Sequence, residues 1–187
     1  MKTKLLLFLF FTSISFCVTA QKETNNWFFS GSQGISFNTG ALQTISGIPP
    51  ANAYSNNITV CSDANGNVNF ICSNGYPAKV YDRNYGAMPG PSLNGNAFFS
   101  RPLWAKYPGS ATKYFIFYPV ATTTTDSCYL KYAIIDMALN GGLGQITAAD
   151  MIVDSSLSVG FCLINKPGSE DFWIVSNRYG SNNFFQG

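Results

Sequence analysis

The chain has 187 residues, 11 of them basic and 9 acidic, with a charged fraction of 11% and no histidine at all. The missing histidine excludes a Ser-His-Asp triad, a Cys-His pair and any His-ligated metal. The formal charge of +2 gives no steering toward nucleic acid or an anionic membrane.

Residues 1–20 read as a secretory signal peptide. Lys2 and Lys4 form a basic start, Leu5 to Phe11 is an unbroken apolar run, and Val18-Thr19-Ala20 is a small-residue cleavage site before Gln21. The apolar run is too short for a membrane span, and no charged stop-transfer pattern follows it. Cys17 follows Ser15-Phe16 rather than the small residues of a lipoprotein signal. The sequence therefore predicts a soluble exported protein: secreted, at the cell surface or periplasmic. Without Lys2 and Lys4 it carries nine basic and nine acidic residues.

Beyond the signal the pattern is all strand and turn. Trp27-Phe28-Phe29 and Gly34-Ile35-Ser36-Phe37-Asn38 read as two strands, and Pro49-Pro50 and Asn56-Asn57 mark a loop. Ile58 to Cys61 and Val68 to Cys72 form a hairpin across Asn65-Gly66, a strong turn signal. Lys79 to Asp82 is a third strand of that unit. Pro89 to Asn96 is a loop, and Leu103-Trp104-Ala105, Tyr114 to Val120 and Cys128 to Met137 are strands. Asn140-Gly141-Gly142-Leu143-Gly144 is a sharp loop, and Thr147 to Val153 fits a strand end or one helical turn. Val159 to Ile164 and Phe172 to Ser176 form a last hairpin before Phe184-Phe185-Gln186-Gly187. No helical periodicity persists over ten residues outside the signal, so the predicted class is all-β.

Three Gly-centred turns lead directly into aromatic-rich strands, at Gly66, Gly109 and Gly168. Their spacing of roughly 40–60 residues is near that of β-propeller blades. The expectation is about three four-stranded antiparallel blades in residues 21–187, with units near 27–55, 56–100 and 101–155 and an incomplete one at 156–187. Propellers close with about four to eight blades, so the reading is the N-terminal fragment of a larger protein. Its open blade edges predict self-association.

Four cysteines follow the signal: Cys61, Cys72, Cys128 and Cys162. A two-residue Asn65-Gly66 turn pairs position 61 with 70 and places Cys72 diagonally on the same face. A Cys61–Cys72 disulfide is a candidate that needs a bulge or register shift; buried free thiols are the plainer expectation. No CxxC exists to build a zinc site.

The acids are Glu23, Asp63, Asp82, Asp126, Asp136, Asp150, Asp154, Glu170 and Asp171. A glycosidase needs two carboxylates facing one another across a sugar, which sequence does not place. Asp63, Asp82, Asp136 and Asp171 lie in or beside turns, where Asp ordinarily bonds its own backbone. Ser62-Asp63-Ala64-Asn65-Gly66 resembles a sialidase Asp-box with its acid one position early. Asp63, Asn65 and Asn67 alternate like a calcium loop, but the glycine is misplaced and no bidentate Glu follows. Asn140 to Gly144 lacks the helix of a phosphate loop. No catalytic, cofactor-binding or metal-ligating residue is predicted. Phe70, Phe115, Phe117 and Trp173 are predicted core aromatics. Tyr85, Trp104, Tyr107 and Tyr179 are the candidates for an exposed ligand surface.

An ordered set of segments resembles the N-terminal, propeller-like region of exported Bacteroidota proteins associated with gliding motility and type IX secretion. The segments are Asn25 to Phe29, Gly34 to Asn38, Ser62 to Asn67, Val80 to Asn84 with Met88-Pro89, Lys131 to Met137, and Asn140 to Gly144. The resemblance implies a non-catalytic surface or adhesion module with a protein or glycan partner. It carries no catalytic residue with it. No sorting domain is read within these residues, so it carries no surface attachment either. The alternative expectation is a carbohydrate-binding or glycan-hydrolysing propeller completed by further blades.

Overall fold

A computed structural model describes residues 22–29, 33–47, 58–73, 78–94, 101–121, 127–181 and 183–187. The predicted signal peptide lies outside the described residues, as does Asp126. The described chain is all-β, and its one helical element is a short 3₁₀ turn at Asn140–Gly142.

The first sheet is an antiparallel meander of β1 (Asn26–Phe29), β2 (Gln33–Ser36) and β3 (Gln43–Ser46). The second joins β4 (Ile58–Ser62), β5 (Val68–Ser73) and β6 (Lys79–Asp82). The third runs through β7 (Leu103–Lys106), β8 (Lys113–Ala121), β9 (Cys128–Asp136), β10 (Gln145–Asn165), β11 (Phe172–Arg178) and β12 (Phe184–Gln186), in that spatial order. Its edges are β7 and β12. The expected four-stranded units thus differ from what is seen: the first two sheets have three described strands each. The last two predicted units share one continuous sheet. The reason is β10, a single 21-residue strand. It absorbs both the ambiguous stretch Thr147 to Val153 and the strand predicted at Val159 to Ile164. It pairs with β9 as far as Leu157 and with β11 from Leu157 onward. Register shifts at Ile146/Ala148, Ala148/Met151, Ile152/Asp154 and Asp154/Leu157 bend it, and bulges of this kind turn a strand sharply.

That bend brings the end of the sheet back over its own face. Phe172 of β11 meets Phe115 and Phe117 of β8 at centroid distances of 6.0 and 5.6 Å. The β8 sequence Tyr114-Phe115-Ile116-Phe117-Tyr118 is apolar on both faces, so both must be covered. Tyr114, Ile116 and Tyr118 pack toward the second sheet, against Phe70, Cys72 and Val80. Phe115 and Phe117 pack toward Leu163, Phe172 and Ile174. In β5 the alternation repeats: Phe70 and Cys72 face β8, while Ile71 faces Phe28 and Ile45 of the first sheet. The first sheet thus packs on the second and the second on β8, while the six-stranded sheet curls back on itself into a near-closed, barrel-like form around Phe115, Phe117, Leu130, Leu157, Phe172 and Ile174. Neighbouring first strands also meet along one side, β1 with β4, β4 with β7, and β7 with β10. The Trp104 indole N–H donates to the Val60 carbonyl oxygen at 2.8 Å across the β7–β4 junction.

The β4–β5 register pairs Cys61 with Phe70 and Thr59 with Cys72, the diagonal arrangement expected from the turn. The turn itself is longer than two residues. The Asp63 N–H donates to the Asn67 carbonyl, and a bulge separates the Cys61 and Ser62 pairs. Cys61, Cys72, Cys128 and Cys162 are all free thiols.

The segments that carried the family resemblance meet at two junctions. Asn26 Nδ2 donates to Ser62 Oγ at 3.0 Å and to the Gly66 carbonyl at 2.7 Å, and Asn38 Nδ2 donates to that same carbonyl at 2.7 Å. They tie the first sheet to the β4–β5 turn. At the second junction Arg83 Nη2 donates to the Gly142 carbonyl, and the Ile146 N–H donates to the Pro89 carbonyl at 2.9 Å. They tie the loop after β6 to the β9–β10 connection.

Candidate functional site

Concave regions among the described residues include a groove and a cleft. The first runs along the touching first strands. One part, about 710 Å³, is lined by Glu23, Asn26, Trp27, Thr59, Arg101 and Trp104. The next, about 700 Å³, is lined by Trp104, Lys106, Leu163, Asn165, Glu170 and Phe172. Glu23 and Trp104 border both parts, so they form one groove with charges of both signs along it. Glu170 is held in place by the Gly109 N–H, which donates to its Oε2 at 2.9 Å.

The second region is an aromatic cleft of about 610 Å³ between β8–β9 and β11. Tyr107, Phe115, Phe117, Tyr132 and Phe172 line it, with Lys166 and Asp171 at its polar side. Tyr107 stacks on Phe115 at 4.7 Å and an interplanar angle of 23°. Phe115 in turn meets Tyr132 edge-on at 5.4 Å. Such mutual packing fixes the rings, and fixed aromatic faces form a surface for an apolar ligand face; the Lys166 Nζ itself lies over the Trp173 ring at 5.5 Å.

The four predicted surface aromatics do not form one patch. Tyr107 lines the aromatic cleft. Trp104 lines the inner groove with its N–H already used by Val60. Tyr85 has φ +65° and packs half-buried against the core shared by the first two sheets, where burial pushes its phenol pKa up. Tyr179 is exposed and anchored through its backbone N–H to the Ser156 carbonyl at 3.1 Å. Trp104 lies in β7, Tyr107 follows it and Tyr179 follows β11, all of the third sheet, whereas Tyr85 follows β6 of the second.

Most of the carboxylates with partners serve local backbone. Asp63 Oδ1 accepts from the N–H groups of Asn65 and Asn67, each at 2.9 Å, and its Oδ2 accepts from Asn67 Nδ2. The calcium-like spacing is therefore a self-bonded hairpin turn. Asp82 Oδ1 accepts from the Asn84 and Gly86 N–H groups, Asp136 from Ala138 and Asp154 from Ser156. Asp171 differs: it is its own N–H that bonds, to Ser169 Oγ, and the residue borders the aromatic cleft.

Asp150 stands apart, and sequence reading missed its role. It lies at φ +60° in the irregular part of β10. Its Oδ1 accepts from Tyr118 Oη at 3.0 Å and the Asn94 N–H at 3.2 Å, and Lys131 Nζ lies 3.4 Å away. Asn94 Nδ2 donates to Oδ2. Partial burial works against the charged form, but these donors and the lysine together outweigh it and lower the pKa. The only sequence signal is an acid inside an otherwise strand-like run.

Burial pushes the thiols of Cys61 and Cys72 up to about 12 and that of Cys128 to about 11. The reactive species is the thiolate, so these three are inert core side chains. Among the described residues, no group of three or more His, Cys, Asp or Glu side chains gathers to hold a metal ion. Among the same residues, no helix is long and apolar enough to cross a membrane. Comparison with protein-family models, with curated proteins and with solved structures finds no match to this chain.

Proposed function

We infer that the chain is an exported, non-catalytic interaction module, built as a run of propeller-like blades and acting at the cell surface in adhesion or surface assembly. It would be the N-terminal portion of a larger protein of the gliding-motility and type IX secretion-associated kind that its segments resemble. The observation that carries this reading is the arrangement of the sheets. Successive antiparallel meanders stack face to face while their first strands meet along one groove, the relation that blades have around a propeller axis. The turn-bound state of Asp63, Asp82, Asp136 and Asp154 supports a binding role over carboxylate catalysis.

A second reading, carbohydrate binding, is favoured by one feature. Tyr107 lies on Phe115 in a cleft that also carries Lys166 and Asp171, and sugars pair an apolar ring face with polar edges.

External protease on intact producing cells tests the location. Peptides from residues beyond 20 should be released without lysis; peptides appearing only after lysis contradict a surface role. Affinity electrophoresis through soluble polysaccharides separates the two readings. Retardation that disappears in Tyr107→Ala moves the assignment to carbohydrate binding, and release of reducing ends would overturn the non-catalytic reading.

A further inference from the structure

The sequence holds four Asn-Gly pairs, at 65–66, 74–75, 94–95 and 140–141. Such a pair can modify itself: the glycine nitrogen attacks the Asn side-chain carbonyl carbon, and glycine has no Cβ to hinder the approach. The attack needs a nitrogen free of hydrogen bonding and a backbone with room to turn. Asn74, Gly75 and Gly95 lie outside the described residues, so the comparison is between the other two pairs. Asn65-Gly66 is locked. The Gly66 N–H donates to the Asp63 carbonyl at 2.9 Å, and the Asn65 N–H to Asp63 Oδ1 at 2.9 Å. The Gly66 carbonyl accepts from Asn26 and Asn38, each at 2.7 Å. Gly66 is buried, and a Cβ there would lie 2.0 Å from Asn38 Oδ1. Asn140-Gly141 is open. Both residues are exposed, and a Cβ on Gly141 would meet nothing within 4 Å. The Gly142 and Leu143 N–H groups donate to Leu139 and Asn140, but the Gly141 N–H has no acceptor among the described residues. The next carbonyl along, that of Gly142, accepts from Arg83 Nη2 and so ties the β9–β10 connection to the loop after β6.

We propose that Asn140 is a modification site: in the native chain it converts to isoaspartate, and the conversion unfastens Arg83. Water is the only co-reactant. The Gly141 nitrogen gives its proton to solvent and bonds to Asn140 Cγ. The Cγ–Nδ2 bond breaks, and Nδ2 takes up a proton and leaves as ammonia. Water then opens the cyclic imide. Addition at the Asn140 main-chain carbonyl carbon breaks its bond to the Gly141 nitrogen and leaves the chain running through Cγ, which is isoaspartate. Addition at Cγ gives aspartate instead. Either product carries a new carboxylate, and the isoaspartyl link adds a methylene to the main chain just ahead of Gly141-Gly142. That displaces the carbonyl Arg83 holds. This modification is independent of the surface-module reading and needs no ligand.

The test is peptide mapping by mass spectrometry on the purified chain, aged at mildly alkaline pH both native and in guanidinium chloride. Each Asn is compared with its own rate in denaturant. Native Asn140 should stay within about threefold of that rate, and native Asn65 should slow by about tenfold or more, since it reacts only when its turn opens. The Asn140 product should separate from a synthetic aspartyl peptide and match the isoaspartyl one. Asn140 slowed as much as Asn65, or Asn65 converting as fast as Asn140 in the native chain, overturns the site. The modified chain, separated by its added charge, then tests the consequence. Its Ile146 amide should exchange faster, because that N–H donates to the Pro89 carbonyl at 2.9 Å beside the Arg83 contact. Arg83→Gln in the unmodified chain should reproduce the faster exchange. Unchanged exchange at Ile146 in either chain overturns the unfastening of Arg83.

Discussion

Asp150 shows how one residue can organise a strand. A non-glycine residue at φ +60° costs about 1–3 kcal/mol and persists only where its surroundings fix it. Here Tyr118, Asn94 and Lys131 converge on the carboxylate, and the Asp150 N–H donates back to Tyr118 Oη at 2.9 Å. Its folded pKa lies below the ordinary 3.8. A lowered carboxylate pKa contributes stability that is present above 3.8 and is lost as pH falls through the folded value. The melting temperature should therefore drop between about pH 5 and pH 2, and Asp150→Asn should flatten part of that drop. At neutral pH the same substitution should cost about 1–3 kcal/mol, because hydrogen bonds to a charged acceptor are lost. An unchanged acid profile in Asp150→Asn would show that the cluster contributes nothing. The turn acids Asp63, Asp82 and Asp136 were legible in sequence because an Asx turn is a local event. Asp150 was not, since Asn94 and Tyr118 reach it from 56 and 32 positions away.

Elements were legible where one local signal fixed them. The Asn65-Gly66 turn led to the Cys61–Phe70 register even though the real turn carries a bulge. β8 and β9 were found because their runs are long and apolar. β3, with the sequence QTIS and three of its four residues exposed, has no such signal. The sequence reads β10 as two pieces because its bulges interrupt the alternation that marks a strand. The element is held in shape by its neighbours, and Gly90 is the tightest point. Its φ is +125°, and a Cβ there would lie 2.1 Å from the Ile146 carbonyl oxygen, a backbone atom that cannot swing aside. Gly90→Ala should lower the urea midpoint by the equivalent of about 2 kcal/mol or more. Gly109 also has positive φ but open space around it, so Gly109→Ala should cost only about 1 kcal/mol. Equal effects at the two sites would mean that the loop after β6 does not pack against β10 as described.

At the scale of the molecule, the all-β class was legible from periodicity, and the strand-to-turn rhythm pointed to stacked units. The order and number of hydrogen-bonded strands were not, because they depend on where β10 changes partners. Several of the resembling segments lie at junctions: Asn26, Asn38, Ser62 and Gly66 meet at one, and Arg83 and Gly142 at the other, where Pro89 also accepts from Ile146 outside those segments. The ligand surface was less legible, since Tyr107 alone of the four predicted aromatics lines the aromatic cleft, and Lys166 and Asp171 flank a turn that sequence reads only as punctuation. The stack itself makes the most direct claim. Among the described residues β5, β8 and β9 are packed on both sides, while the first sheet and β12 keep exposed apolar side chains such as Trp27 and Phe184. Local opening is costliest where burial is deepest. Native-state amide hydrogen exchange on the full chain should therefore find the slowest amides in β5, β8 and β9 and the fastest strand amides in β1 to β3 and β12. Slowest exchange in the first sheet or in β12, or uniform protection throughout, would contradict this packing.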